Sequence, residues 1–129
     1  MIETNLPAAS SPSIGSPAGA KPPLNDARLR EMQVILDDCF GEFVDAYLVS
    51  MDDILSHADT ASAPGQEKEL ERLMHSLKSA SMNAGADDLA LLCAHLETLL
   101  HRQQPTPAGY LERIRGEALR VRDALTPFL

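Results

Sequence analysis

Apolar residues recur along this chain at intervals of three and four, the spacing that places side chains on one face of an α-helix. The stretch from Leu70 to Ala84 shows this pattern well, because its apolar and small residues fall on a single stripe. The stripe consists of Leu70, Leu73, Met74, Leu77, Ala80, Ser81 and Ala84. Similar stripes precede and follow this stretch, and no alternating strand pattern competes with them. The pattern therefore predicts an all-α protein.

Five helices are predicted from these stripes. Their expected positions are Asp26 to Asp37, Cys39 to Ala58, Gln66 to Asn83, a fourth helix from Asp87, and a fifth with its N-cap at Thr106 and its first helical residue at Pro107. Because the links between them are short, consecutive helices should run antiparallel. We therefore expect an antiparallel up-and-down four-helix bundle with a short additional N-terminal helix.

The start of the ordered domain is expected at Asn25, which is a favourable N-cap residue. Leu24 and Leu29 occupy the two positions of a hydrophobic staple around it. In the first helix, the inward residues should be Leu29, Met32, Ile35 and Leu36. Residues 1–24 are rich in Pro, Ser, Ala and Gly and are predicted to be a flexible tail. The bundle domain would then comprise residues 25–129.

The formal net charge of the 129-residue chain is −8. This charge argues against a general nucleic-acid binder and against adsorption to an anionic membrane surface. No apolar run is long enough to cross a bilayer, and the N-terminus lacks the pattern of a signal peptide. Cys39 and Cys93 each fall on an apolar stripe, where we expect them to be buried rather than catalytic. A cytoplasmic protein is therefore expected. We also expect a monomer, although none of these features determines the oligomeric state.

His75 points away from the apolar stripe of its helix. Lys78 lies one turn further on the same side, and Ser79 keeps the surroundings of the ring free of bulk. An unprotonated imidazole is nucleophilic near neutral pH, and a neighbouring cation would attract a phosphoryl group. No nucleotide-binding loop of the Gly-rich Lys-Ser/Thr type occurs, so the chain has no visible means of taking phosphate from ATP.

The other histidines are candidates for metal ligands. Asp53 with His57, and Glu97 with His101, have the i, i+4 spacing of ordinary pairs on a helix surface, which explains both better than a metal ion does. No set of three or four ligands is apparent. We therefore expect no metal and no cofactor in this chain.

The run from His75 to Ala86, HSLKSASMNAGA, continues through Leu89, Leu92-Cys93 and Leu96-Glu97. It resembles the histidine-containing phosphotransfer (HPt) domain, whose pattern is His-x-Leu-Lys-Gly followed by Gly-Ala and a helix with this Leu-Cys and Leu-Glu rhythm. The resemblance implies a four-helix bundle in a phosphorelay, with His75 as the phosphoryl acceptor and Lys78 as the phosphate-stabilising cation. Ser79 departs from the family's usual Gly, which implies an altered partner preference or rate.

The same resemblance implies that the partners are the receiver domains of a hybrid sensor kinase and of a response regulator, with magnesium bound in the receiver. The residues around His75 on the helical wheel should contact such a partner; they are Glu71, Arg72, Ser79 and Met82. The favoured function is that of a phosphoryl carrier without kinase activity. The alternative is a helical interaction module that uses the same surface for binding alone.

Overall fold

The computed structural model describes residues 21–129, and within this range all regular secondary structure is helical, with no β-strand. Most of the predicted tail, residues 1–20, lies outside the described residues. The elements, in chain order, are α1 (Asp26–Leu36), a 3-10 turn (Asp37–Cys39), α2 (Phe40–Ala61), α3 (Glu67–Ala84), α4 (Asp87–His101), α5 (Tyr110–Leu125) and a second 3-10 turn (Thr126–Phe128).

Helices α2 to α5 form the bundle. Each helix packs against the next one along the chain, and α5 closes the arrangement by packing against α2. The short α1 packs against α2 and α3. The predicted all-α fold, an up-and-down four-helix bundle with an extra N-terminal helix, is confirmed.

The core contains the stripe that the sequence predicts for α3. Six of its seven members are buried, and Ala80 is half-buried. The one polar member, Ser81, is fully buried, and its hydroxyl shares a 2.7 Å hydrogen bond with the hydroxyl of Tyr47 on α2. This bond provides the partner that a buried polar group requires. Burial raises the pKa of Tyr47 to about 12 despite the hydrogen bond with Ser81.

Asn25 ties the start of α1 to the turn between α3 and α4. Its side-chain oxygen accepts a hydrogen bond from the backbone N–H of Arg28 at 3.1 Å, which confirms the predicted N-cap. Its backbone N–H donates to the carbonyl of Gly85 at 2.7 Å, and its side-chain amide donates to Asp87 at 3.0 Å. Gly85 ends α3 with a φ of 79°, in the left-handed conformation predicted for it.

The helix boundaries differ from prediction at the start of α5. This helix begins at Tyr110 rather than at the predicted Pro107, because Gly109 has a left-handed φ of 77°. The backbone N–H of Tyr110 donates to the carbonyl of Pro107 at 3.2 Å, so these residues form a turn. The predicted N-cap at Thr106 was therefore wrong. Helix α2 also continues to Ala61, three residues beyond its predicted end at Ala58.

Two apolar positions are more exposed than predicted. Ile35 is 66% exposed, and Leu29 is the one buried residue of α1. Cys39 is exposed because the chain departs from α-helical geometry at Asp37, where φ is 48°. The prediction assumed a regular helical periodicity through this point, and the departure changes the direction in which the Cys39 side chain points. The prediction was correct for Cys93, which is buried, and burial raises its pKa to about 12.

Candidate functional site

His75 lies in the middle of α3, on the side opposite the core. Its side chain is 60% exposed, whereas Met74 and Leu77, its neighbours on the inner side, are completely buried. The helix is thus held by its apolar face while the imidazole is open to solvent. Position and exposure agree with the sequence prediction for this residue.

The carboxylate of Glu97, on α4, contacts both His75 and Lys78. One oxygen lies 2.8 Å from Nδ1 of His75, and the other accepts a hydrogen bond from the Lys78 ammonium at 2.7 Å. The side chains of Glu97 and Lys78 are largely buried, with exposed fractions of 20% and 25%. His75 and Lys78 are therefore brought together through a residue on the neighbouring helix.

Glu97 is ionised under ordinary conditions. Partial burial opposes its ionisation, but the hydrogen bonds from Lys78 and His75 outweigh that effect and hold the pKa of Glu97 below its usual range. A carboxylate can only accept a hydrogen bond, so the His75 nitrogen that faces it, Nδ1, carries the hydrogen. In the neutral ring this tautomer leaves a lone pair on Nε2.

The pairing predicted for Glu97 and His101 was wrong. His101 instead lies with its Nδ1 3.0 Å from the carboxylate of Glu71, on α3. The partners of Glu97 are 19 and 22 positions away in sequence, so local spacing could not reveal them. The sequence signal that could have identified Glu97 as part of the site was the Leu96-Glu97 pair, which belongs to the same motif as His75. The other predicted pair is present: Nδ1 of His57 lies 2.8 Å from the carbonyl of Asp53 and 3.7 Å from its carboxylate.

The four residues predicted to contact a partner differ in their exposure and in whether their charges are paired. Met82 is 57% exposed, and Ser79 and Arg72 are exposed as well. Arg72 is paired with Glu69 at 2.5 Å, and Glu71 is engaged by His101. The face therefore contains an apolar and a small side chain that are free for contact, beside charged groups that are already paired.

Within residues 21–129, no three or more of the His, Cys, Asp and Glu side chains are grouped so that they could hold a metal ion. None of the helices in the same range is long and apolar enough to cross a membrane.

The family model described as "Hpt domain" matches residues 42–125, which is more than half of the chain. The chain belongs to the Hpt domain family. The match includes α3, α4 and α5, and thus the whole His75–Glu97–Lys78 cluster. Hpt domains are phosphocarrier modules, and the function of this one is histidine phosphotransfer in phosphorelay signalling.

A solved structure supports the same assignment. The Hpt domain is similar to histidine-containing phosphotransfer protein B (HptB) from Pseudomonas aeruginosa PAO1, with a TM-score of 0.78 and 26% sequence identity. The alignment covers 84% of this chain and 95% of the HptB chain. No curated protein matches the chain.

Proposed function

We propose that His75 is the phosphoryl acceptor of this Hpt domain, which receives the group from the aspartyl phosphate of one receiver domain and passes it to another. The observation that carries this proposal is the hydrogen bond between Nδ1 of His75 and Glu97. It fixes the orientation of an exposed imidazole and directs its nucleophilic lone pair to Nε2. Orientation of the nucleophile is a large part of catalysis in such a transfer.

The step is an in-line displacement at phosphorus. The Nε2 lone pair of His75 forms the N–P bond while the bond between phosphorus and the aspartyl oxygen of the receiver breaks, and that oxygen leaves as a carboxylate. Positive charge develops on the imidazole during the attack. The Glu97 carboxylate, at 2.8 Å from Nδ1, stabilises this charge and can accept the Nδ1 proton.

Lys78 supplies the positive charge nearest to the transferred group. Lys78 lies one turn of α3 away from His75, and its ammonium contacts Glu97 in this structure. The lysine stem is flexible, so the ammonium can turn towards a phosphoryl group on Nε2. Most of the remaining electrostatic stabilisation would come from the receiver, with its own magnesium ion.

The partners that fit this role are the receiver domains of a hybrid sensor kinase and of a response regulator. The Hpt domain would act as a carrier between them, without a kinase reaction of its own. Met82 and Ser79 would contact the receiver, and the paired charges of Glu71 and Arg72 would lie at the rim of the contact.

The proposal is tested by incubating the protein with a phosphorylated receiver domain and measuring acid-labile, alkali-stable phosphate on it. His75→Gln should abolish the label and leave the fold intact. His95→Gln, which removes another exposed histidine, on α4, should label at the normal rate. Normal labelling of the His75 variant would refute the assignment. A wild-type chain that binds the receiver but takes up no phosphate would instead indicate an interaction module.

A further inference from the structure

Ser79 lies one helical turn after His75, on the same side of α3. Side chains four positions apart on a helix are neighbours, with about 5–6 Å between their Cβ atoms. Because the Cα–Cβ bonds of a helix tilt towards its N-terminus, the side chain of Ser79 is displaced towards His75. Ser79 is exposed, so a partner that reaches the imidazole can also reach its hydroxyl.

The hydroxyl of Ser79 forms no hydrogen bond with any other residue in the range 21–129. By contrast, the hydroxyl of Ser62 donates to the carbonyl of Ala58 at 2.6 Å, at the end of α2, where helix carbonyls lack a backbone donor. Ser79 lies inside α3, where the carbonyl four positions before it already accepts a backbone N–H. Its donor is therefore available to a partner.

Three further residues of α3 lie one turn from His75, and each has its charged group paired with a nearby side chain. The pairs are Glu71 with His101, Arg72 with Glu69, and Lys78 with Glu97. Ser79 is the one member of this set of four whose polar group has no partner among the described residues. A receiver that covers His75 thus meets charges that are already paired and one unpaired hydroxyl.

Phosphoryl transfer brings the surface of the receiver over Ser79. The displacement described above requires the phosphorus atom to lie within about 3–3.5 Å of Nε2 of His75 before attack. A surface that approaches the imidazole so closely removes water from the side chains one turn away. A hydroxyl that loses its water and gains no partner weakens the complex, whereas a paired hydroxyl does not. Ser79 therefore discriminates between receivers by the group that each places opposite it.

Oxygen acceptors are the groups that a receiver holds nearest to this point. Its magnesium ion is bound by oxygen ligands, mainly carboxylates and carbonyls, at the reaction centre that lies over His75. The hydroxyl of Ser79 can donate to an oxygen at the edge of this centre. Because the hydroxyl hydrogen rotates to suit its partner, the contact requires an acceptor at one position rather than one residue type.

We propose that Ser79 is a specificity-determining residue of this Hpt domain, whose hydroxyl donates a hydrogen bond to an acceptor oxygen beside the receiver's reaction centre. This inference rests on the proposed function and deepens it. Receivers that place an oxygen opposite Ser79 dock more tightly than receivers that place an apolar group there. Ser79 touches none of the reacting atoms, and its bond is the same before and during phosphoryl transfer.

The test uses the full chain with Ser79→Ala, which removes the hydroxyl and keeps the Cβ, and with Ser79→Thr, which retains a hydroxyl. The matched control is Ser56→Ala, at an exposed serine that lines the groove between α2 and α5. Two phosphoryl donors are compared: phosphoramidate, which needs no docking, and a receiver domain selected because it phosphorylates the wild-type chain. The labelling rate is measured over a range of receiver concentrations, and helicity and thermal unfolding are measured for every variant.

With the receiver as donor, Ser79→Ala should need an at least about fivefold higher receiver concentration for its half-maximal rate. The maximal rate should be unchanged, because the bond is made equally in the ground state and the transition state. Ser79→Thr should recover most of the loss, Ser56→Ala should match the wild type, and phosphoramidate should label all variants at the wild-type rate.

The proposal is overturned if Ser79→Ala shows the wild-type concentration dependence, or if phosphoramidate also labels this variant more slowly. A loss of equal size in Ser79→Thr or in Ser56→Ala would overturn it as well. Failure of the proposed function is distinct, because no receiver would then label His75 of the wild-type chain.

Discussion

The carboxylate of Glu97 joins His75 on α3 to α4 through a 2.8 Å hydrogen bond, and the same group holds Lys78 at 2.7 Å. One side chain thereby sets the tautomer of the nucleophile and the resting position of the nearest cation. Several consequences of this arrangement can be measured.

Replacement of Glu97 by Ala should slow phosphoryl uptake by about tenfold or more. The reason is that a hydrogen bond to a charged group contributes about 1.5–3 kcal/mol, and each ~1.4 kcal/mol corresponds to a factor of ten. Single-turnover labelling from a phosphorylated receiver measures the rate. Glu97→Gln should lose less, because its amide oxygen can still accept from Nδ1. A Glu97→Ala variant that labels as fast as the wild type would show that Glu97 does not position His75.

The contribution of Glu97 to stability should depend on pH. Its pKa is lower in the folded chain than its ordinary value of 4.5, so folding favours the ionised form. The stabilisation is therefore fully present above about pH 4.5 and is lost as the pH falls through the lower, folded-state pKa. The difference in free energy of unfolding between wild type and Glu97→Gln, measured in urea, should shrink below about pH 4.5. A difference that does not shrink at low pH would contradict a lowered pKa of Glu97 in the folded chain.

Gly85→Ala should destabilise the fold by about 1–2 kcal/mol, because a side chain disfavours the left-handed φ of 79°. The added Cβ would also lie 3.2 Å from Cβ and Cγ of Arg28. Gly116→Ala is the matched control, since it lies within helix α5 and a Cβ there meets no atom within 4 Å. That change should stabilise by about 0.5–1 kcal/mol. Urea unfolding of the two variants should therefore move in opposite directions.

The two thiols should differ sharply in reactivity. Cys39 is exposed, whereas Cys93 is buried and its pKa is raised to about 12. In the native protein at about pH 8, a disulfide reagent such as dithionitrobenzoate should modify one thiol only. Cys39→Ser should remove this reaction, and Cys93→Ser should leave it. Rapid modification of both thiols in the folded protein would contradict the burial of Cys93.

Much of the fold could be predicted because it depends on local periodicity. The stripe from Leu70 to Ala84 defines a buried face whatever the neighbouring helices are, and Asn25 and Gly85 carry cap signals within a few residues of the helix ends. The predictions failed where the backbone leaves the helix. Asp37 and Gly109 adopt positive φ values that change the phase or the starting point of the next helix, and neither change is visible in the apolar spacing.

Only the part of the site that lies on a single helix could be predicted from local periodicity. His75 and Lys78 are one turn apart on one helix, so their shared side can be deduced from helix geometry alone. Glu97 lies on another helix, and its contact with His75 depends on how α3 and α4 are aligned. Pairing Glu97 with His101 by local spacing was reasonable on one isolated helix. The packed bundle instead lets each helix supply the carboxylate for the other's histidine, since Glu71 of α3 contacts His101 of α4.

The contacts of Asn25 also decide where this phosphotransfer unit can be joined to another protein. A fusion that began at residue 42, where the family match starts, would delete α1 and the first residues of α2. It would leave the Gly85 carbonyl and the Asp87 side chain without the hydrogen bonds that Asn25 donates. A junction placed before Leu24 keeps both bonds and the buried leucine. The portable module is therefore longer at its N-terminal end than the segment that the family has in common.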